Sequence, residues 1–370
     1  MKKNKVFILL LLVSNYLSAQ MPDNIYQLCN KLDNKVPSIM SQHNVPGAFI
    51  TLLKNEEVVY QHHFGYSDFE NKVPVTGQTG FNIGSISKTF TAWGIMKLIE
   101  QGKIGIDSSA SKYLTRWQFP KSKYDVDRVT IRKILSHTAG LSVHGYPGWN
   151  KVKKLPTIEE SLSGKPKKST KVKLITEPGV AFKYSGGGYT VLQLIIEEVT
   201  GDTFEHFMDT AIIAPIGMKN SSFTINDRIL SQSSFEHNRK GKKIPFEYFA
   251  AKAAAGFHTC PDDMIKFIQT HFSILNQNLN DSTIISESSI KEMMTVVPRI
   301  NNKTPTGLGY FRFKNNNGYS WGHGGANSGW MAQIAINPEN DTGLVVLTNS
   351  FSGYKLMNFV FNEWDKLQIE

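Results

Sequence analysis

The stretch Phe81-Asn82-Ile83-Gly84-Ser85-Ile86-Ser87-Lys88 decides how this 370-residue chain is read. It runs into an apolar stripe at Ala92, Ile95, Met96 and Ile99, the spacing of a helix over about 86–101, and Gly102 stops that helix. Ser85 therefore stands where a helix begins. Its N–H is among the unpaired donors there, near the positive end of the dipole. Lys88 follows about one turn later, within reach of the Ser85 hydroxyl. A serine serving only as a cap would carry Glu or Gln at that place. Lysine is electrostatically unfavourable there, so something other than helix stability holds it. Ser-x-x-Lys also occurs at Ser109/Lys112, Ser288/Lys291 and Ser352/Lys355. Context separates the four, because only Ser85 follows Asn82-Ile83-Gly84 into this helix.

Working outward, residues 24–43 read as a helix that ends before Val45-Pro46-Gly47. Residues 48–54 and 57–64 read as strands turning at Asn55-Glu56. Short helices follow over Thr130–Ser136 and 188–200, and Pro261 suits the first turn of a helix to about Ser273. Near the end, Gly307–Lys314, Gly318–His323, Gly329–Asn337 and Gly343–Thr348 read as four strands, and Gly353–Leu367 as a closing helix. The pattern predicts an α/β fold: one antiparallel sheet built from both chain ends, flanked by helices, with a mostly helical middle over about 105–260. Gly318-Tyr319-Ser320-Trp321-Gly322 matches the G-x-S-x-G elbow. That elbow needs a helix after it and a later histidine. Here another strand follows and no histidine comes after His323, so Ser320 is read as a strand residue.

The 81–88 stretch resembles the first motif of the penicillin-recognising serine hydrolases, in the class C β-lactamase-like branch. That branch also holds D-alanyl-D-alanine carboxypeptidases, D-aminopeptidases and carboxylesterases. Further segments agree in order: Leu135-Ser136-His137-Thr138-Ala139-Gly140-Leu141, then Glu177-Pro178-Gly179 through Phe182-Lys183-Tyr184-Ser185-Gly186, Ala255-Gly256-Phe257, and Gly322-His323-Gly324-Gly325. The match covers about residues 40–350 and implies a β-lactamase-like fold. It also implies that Ser85 attacks an acyl carbonyl and becomes acylated, with Lys88 accepting its proton if desolvated. Tyr184 would share the proton traffic, as a phenol made easier to ionise by nearby cations. The N–H groups of Ser85 and Ala326 would form an oxyanion hole. His137 is read as structural. His323, Gly324, Gly325 and Gly186 would border the substrate.

Two departures from the family pattern bear on the substrate. Gly186 stands where an Asn often binds a substrate amide, and Gly324 where a Thr hydroxyl helps hold a carboxylate. A buried amide left without partners costs about 1–3 kcal/mol. An ester lacks that N–H, so the expectation is an exported hydrolase of carboxylic esters. D-amino-acid peptidase or β-lactamase activity is the alternative, and a penicillin-binding or sensor protein that never deacylates is a further one. The partners would be small esters, peptides or β-lactams. The pattern calls for no cofactor and no metal.

Charge and composition narrow the class. The chain carries 41 Lys+Arg against 31 Asp+Glu, a net charge of +10. Lys2, Lys3 and Lys5 open a basic start, Val6–Val13 is apolar but too short to span a bilayer, and Ser18-Ala19 offers small residues for cleavage. Residues 1–19 are thus read as an export signal, with residues 20–370 as one hydrolase domain, periplasmic or secreted. Without those lysines the charge is +7, and residues 151–175, with eight Lys and two Glu, hold +6 of it. Charge so concentrated argues against a nucleic-acid groove. Pro156, Gly164 and Pro166 interrupt this segment, which is expected to form a mobile basic flap beside the site and outside the core. Cys29 and Cys260 are far apart, and spacing alone does not say whether they pair.

Overall fold

The computed structural model describes residues 22–278, 284–298, 305–315 and 318–367. The expected export signal lies outside the described residues. Both chain ends meet in one seven-stranded sheet. Its strands are β1 (Gly47–Lys54), β2 (Glu57–Asp68), β3 (Val73–Pro74), β6 (Phe311–Asn315), β7 (Gly318–Asn327), β8 (Trp330–Asn337) and β9 (Thr342–Thr348). They lie in the order β3-β2-β1-β9-β8-β7-β6. Antiparallel pairing of β1 with β9, in the register Phe49↔Leu347 and Ile50↔Val346, joins the two ends of the sequence.

Alternation along these strands feeds two cores. Phe49, Leu53, Ile334, Ile336, Val345 and Leu347 face the helical middle of the chain. Ala48, Ile50, Leu52, Ala335, Leu344 and Val346 face the opposite layer. That layer holds two helices, α1 (Asp23–His43) and α5 (Tyr354–Asp365). In α1, Ile25, Leu28, Leu32, Val36 and Met40 form the buried stripe, and Asn44 closes the helix in the left-handed conformation. The edge strand β3 is two residues long and ends in Pro74, a composition that blunts pairing with other chains.

On the other face, α2 (Ser87–Glu100), α3 (Gly186–Thr200) and α4 (Pro261–Leu275) pack around Trp93, Phe90 and Phe267. A second sheet of two-residue strands, β4 (Phe81–Asn82) with β5 (His258–Thr259), ties the approach to Ser85 to the middle region. Cys29 and Cys260 are both free and buried. Among the described residues, no helix is long and apolar enough to cross a membrane.

Three sequence expectations need correction. α3 begins at Gly186, two residues early, because the Ser185 hydroxyl accepts the Gly188 N–H at 2.9 Å and caps it. The strand expected from Gly307 starts only at Phe311, after a turn in which Gly309 takes φ 79°. Residues 151–175 do not stand clear of the core. They contain the helix Ile158–Ser163, closed at its start by a capping box between Thr157 and Glu160. Leu162, Val172 and Leu174 lie in the core, and Leu141 bridges Leu174. Lys151, Lys153, Lys165, Lys167, Lys168, Lys171 and Lys173 are exposed while the apolar residues between them anchor the segment.

Candidate active site

Ser85 sits in the 3-10 turn Gly84–Ile86 that leads into α2. Two glycines let this turn approach β7. Gly84 has φ 51°, and a Cβ there would lie 2.6 Å from the Ala326 nitrogen. A Cβ on Gly325 would collide with the Ile83 carbonyl oxygen. The turn that carries Ser85 and the Gly325–Ala326 end of β7 are thereby in direct backbone contact.

Lys88 occupies the first turn of α2 and is 1% exposed. Its Nζ lies 3.1 Å from Ser85 Oγ and donates to the Ala254 carbonyl at 2.6 Å. No carboxylate pairs with it among the described residues. Burial alone lowers its pKa from 10.5 to about 7, so a large neutral fraction exists near neutral pH. A neutral amine here keeps a donor for Ala254 and a lone pair for the Ser85 proton.

Tyr184 comes from the segment just before α3. His137 holds it from below: the imidazole Nδ1 accepts the Ser185 N–H at 3.1 Å, and the carbonyl accepts the Lys183 N–H at 2.7 Å. The His137 and Tyr184 rings are 4.3 Å apart. His137 itself adopts φ 58°. These contacts fit the structural reading of His137. The Tyr184 hydroxyl is hydrogen-bonded with Ser85, yet burial outweighs that bond and raises the phenol pKa. The expected ease of ionisation is therefore reversed: with the ring buried, Tyr184 stays a neutral phenol.

His323 lies on β7, 5.0 Å from the Phe311 ring and 6.2 Å from Tyr184. Its Nδ1–H donates to the Gly324 carbonyl at 2.6 Å. Burial, reinforced by Lys88, pushes its pKa down to about 3, so the ring is neutral. Its buried Nε2 has no hydrogen-bond partner among the described residues.

These groups line one cleft of about 510 Å³, together with Gly324, Gly325 and Ala326. Gly186 is placed elsewhere. Its N–H donates to the His144 carbonyl at 3.1 Å, and a Cβ would lie 3.0 Å from that oxygen. It sits behind the cleft wall, because the chain turns into α3 one residue after Ser185. Residues missed by sequence reasoning complete the lining: His144, Tyr146, Phe182, Phe311, Met331 on β8 and Met357 on α5. Met357 carried no motif signal. His144 and Tyr146 follow directly on the motif at 135–141, and that proximity was the available clue. Ser320 is buried within β7, away from this cleft.

A family model described as Beta-lactamase matches residues 32–359. Protein flp of Staphylococcus aureus (strain MRSA252) is 24% identical over 332 residues, covering 88% of this chain and 63% of that protein. Penicillin-binding protein 4* of Bacillus subtilis (strain 168) is 31% identical over 197 residues, covering 50% of this chain and 39% of that one. The chain thus spans less than two thirds of the length of these curated relatives. Among solved structures, the octameric penicillin-binding protein homologue from Pyrococcus abyssi superposes with a TM-score of 0.76 at 27% identity, covering 91% of this chain and 77% of that one. A class C beta-lactamase superposes with the same TM-score at 18% identity, covering 93% and 97%. The fold is the β-lactamase-like one, a large antiparallel sheet with flanking helices. The chain belongs to the beta-lactamase family of acyl-serine hydrolases.

Proposed function

We propose that the protein hydrolyses carboxylic esters with an apolar acyl group through an acyl-Ser85 intermediate, after export to the periplasm or beyond the cell. The observation that carries this reading is the buried, uncompensated Lys88 amine, 3.1 Å from Ser85 Oγ. Neutral Lys88 takes the Ser85 proton as Oγ bonds to the acyl carbon. The carbonyl oxygen gains charge and is held by the N–H groups of Ser85 and Ala326. The tetrahedral carbon then expels the alkoxide, which receives a proton from the neutral Tyr184 hydroxyl as Lys88 returns one to that oxygen. Water attacks the acyl-enzyme by the reverse proton path and frees the acid.

The preference for esters rests on what borders the cleft. Phe182, Phe311, Tyr146, Met331 and Met357 offer apolar and aromatic surface for an acyl chain. Glycine occupies position 324 beside His323, where it offers no hydroxyl to hold a substrate carboxylate. His323 Nε2 supplies an acceptor and no donor. The export reading rests on the basic and apolar start of the sequence.

The test is a side-by-side assay of p-nitrophenyl acyl esters, D-amino-acid amides and nitrocefin with wild type and Ser85→Ala. The expected result is higher kcat/KM for the esters and no turnover of any substrate by Ser85→Ala. A kcat/KM favouring nitrocefin would overturn the ester reading, and a stoichiometric burst without turnover would make the protein a penicillin binder. Normal hydrolysis by Ser85→Ala would end the acyl-serine mechanism itself.

A further inference from the structure

The side chain of Asn82 is 2% exposed and lies three residues before Ser85, at the end of β4. One primary amide can accept two hydrogen bonds and donate two, and here all four are used. Oδ1 accepts the Gly84 N–H at 2.8 Å and the Asn327 Nδ2–H at 2.5 Å. Nδ2 donates to the Ala255 carbonyl at 3.2 Å and to His258 Nε2 at 3.0 Å. The Gly84 N–H fixes which way the amide points, since a flipped group would set a donor against a donor.

Three of these partners belong to different arms of the candidate site. Gly84 precedes Ser85, and Asn327 follows Ala326. Ala255 follows Ala254, whose carbonyl holds Lys88 Nζ. Asn327 Nδ2 also reaches the Ala255 carbonyl at 3.2 Å, which closes the set. The anchor beneath it is His258, 1% exposed and stacked on Phe246 with ring centroids 5.1 Å apart. The turn at Gly84 and the end of β7 have no strand pairing with each other. Their spacing depends on glycine contacts, which set a closest approach, and on this amide, which sets an attraction.

We propose that Asn82 is the positioning residue that holds the two backbone oxyanion donors, Ser85 N–H and Ala326 N–H, in register with each other and with Lys88. The inference rests on the acyl-serine reading above. Donors for a developing oxyanion act through pre-set geometry, and a displacement well under the length of a bond weakens them. Asn82 touches no reacting atom. Its removal frees the Gly84 turn and β7 to drift apart while keeping the side chains of Ser85, Lys88 and Tyr184 in the protein.

The readout must report on the oxyanion donors and not on stability. A matched pair of p-nitrophenyl acetate and its thionoester does this, because sulfur replaces the oxygen that the donors receive and accepts hydrogen bonds poorly. Wild type should prefer the oxygen ester strongly. In Asn82→Ala, kcat for the oxygen ester should fall by about 10–100-fold, with KM within about threefold, and the oxygen-to-sulfur ratio of kcat/KM should fall by about tenfold. Asn82→Asp keeps the acceptor for Gly84 and Asn327 and should recover most of that ratio. Thr51→Ala removes a buried hydroxyl bonded to the Tyr60 carbonyl between β1 and β2, strands that do not border the cleft, and it should lose stability with the ratio intact. Should Asn82→Ala fail to fold, Asn327→Ala removes one arm from the cleft side and should lower the ratio by a smaller factor. A wild-type ratio in folded Asn82→Ala or in Asn327→Ala, or an equal fall in Thr51→Ala, overturns the proposal. Ser85→Ala run beside them keeps the two claims apart. If it stays inactive while the Asn82 variants keep the wild-type ratio, only the positioning role fails; if it stays active, the acyl-serine reading fails.

Discussion

Lys88→Met should make the protein inactive and more stable, by an amount that depends on pH. Methionine matches lysine in length and fills the same buried space without an amine. Burial takes the Lys88 pKa from 10.5 to about 7. At roughly 1.4 kcal/mol per pH unit, holding this amine in the fold costs about 4 kcal/mol at pH 7, where the unfolded chain keeps its proton and the native chain has released half. Against that stands the Ala254 carbonyl, which loses its 2.6 Å donor in the variant. An orphaned buried carbonyl costs about 1–3 kcal/mol. The variant should therefore gain about 1–3 kcal/mol at pH 7. Between pH 7 and 10.5 the unfolded wild-type chain binds a proton that the native chain does not. Raising the pH through that window thus stabilises wild type and leaves Lys88→Met unaffected. The gap should shrink by about 3 kcal/mol by pH 10 and change sign. Urea unfolding at several pH values, followed by fluorescence of the buried Trp93 and Trp330, measures it. A difference between the two proteins that is the same at pH 7 and pH 10 would show that Lys88 does not carry a lowered pKa.

The same ionisation should appear in kinetics: log kcat/KM for an ester should rise with unit slope to a bend near pH 7, as Lys88 loses its proton. Tyr184, with its pKa raised, and His323, at about 3, should add no bend between pH 5 and 9, and a limb centred near pH 10 would contradict this assignment. Gly325→Ala should lower kcat/KM by about 100-fold, because the new methyl pushes β7 away from Ile83, with an unchanged far-ultraviolet circular dichroism spectrum. Leu162→Ala, inside the lysine-rich segment, should cost about 2–5 kcal/mol in urea unfolding, since Leu162 is fully buried; a negligible loss would restore the free-flap picture of residues 151–175.

The parts of this molecule that could be read in its sequence are those with a local cause. Lys88 and Ser85 are one turn apart, so their meeting follows from helix geometry alone. The strands at both ends carry alternating or apolar runs between turn residues, enough to declare a sheet with two covered faces. The unread parts depend on partners distant in the chain. β4 and β5 are two residues each and leave no periodic trace, so Asn82 and His258 gave no sign of meeting. Gly186-Gly187-Gly188 opens a helix against its own propensity, because the Ser185 cap and the carbonyls of Val143 and His144 accept its first N–H groups. Eight lysines hid Leu162, Val172 and Leu174. The ionisation of Tyr184 was read from its neighbours' charges, while burial, which no single segment reveals, decided its direction.

The pairing of β1 with β9 has a consequence in time. Phe49 waits for Leu347, and the loop that carries Ser85 waits for β7 to bring Ala326. A chain that emerges from its amino end, whether from a ribosome or through a membrane, holds its serine and lysine long before it holds the second backbone donor. Until β9 arrives, the β1 edge that it covers in the finished sheet has no strand to pair with. Sheets closed by such distant segments form slowly. On the proposed mechanism the growing chain stays chemically silent until β7 has arrived, and a chain cut short before β7 leaves Ser85 without the Gly324, Gly325 and Ala326 wall of its cleft.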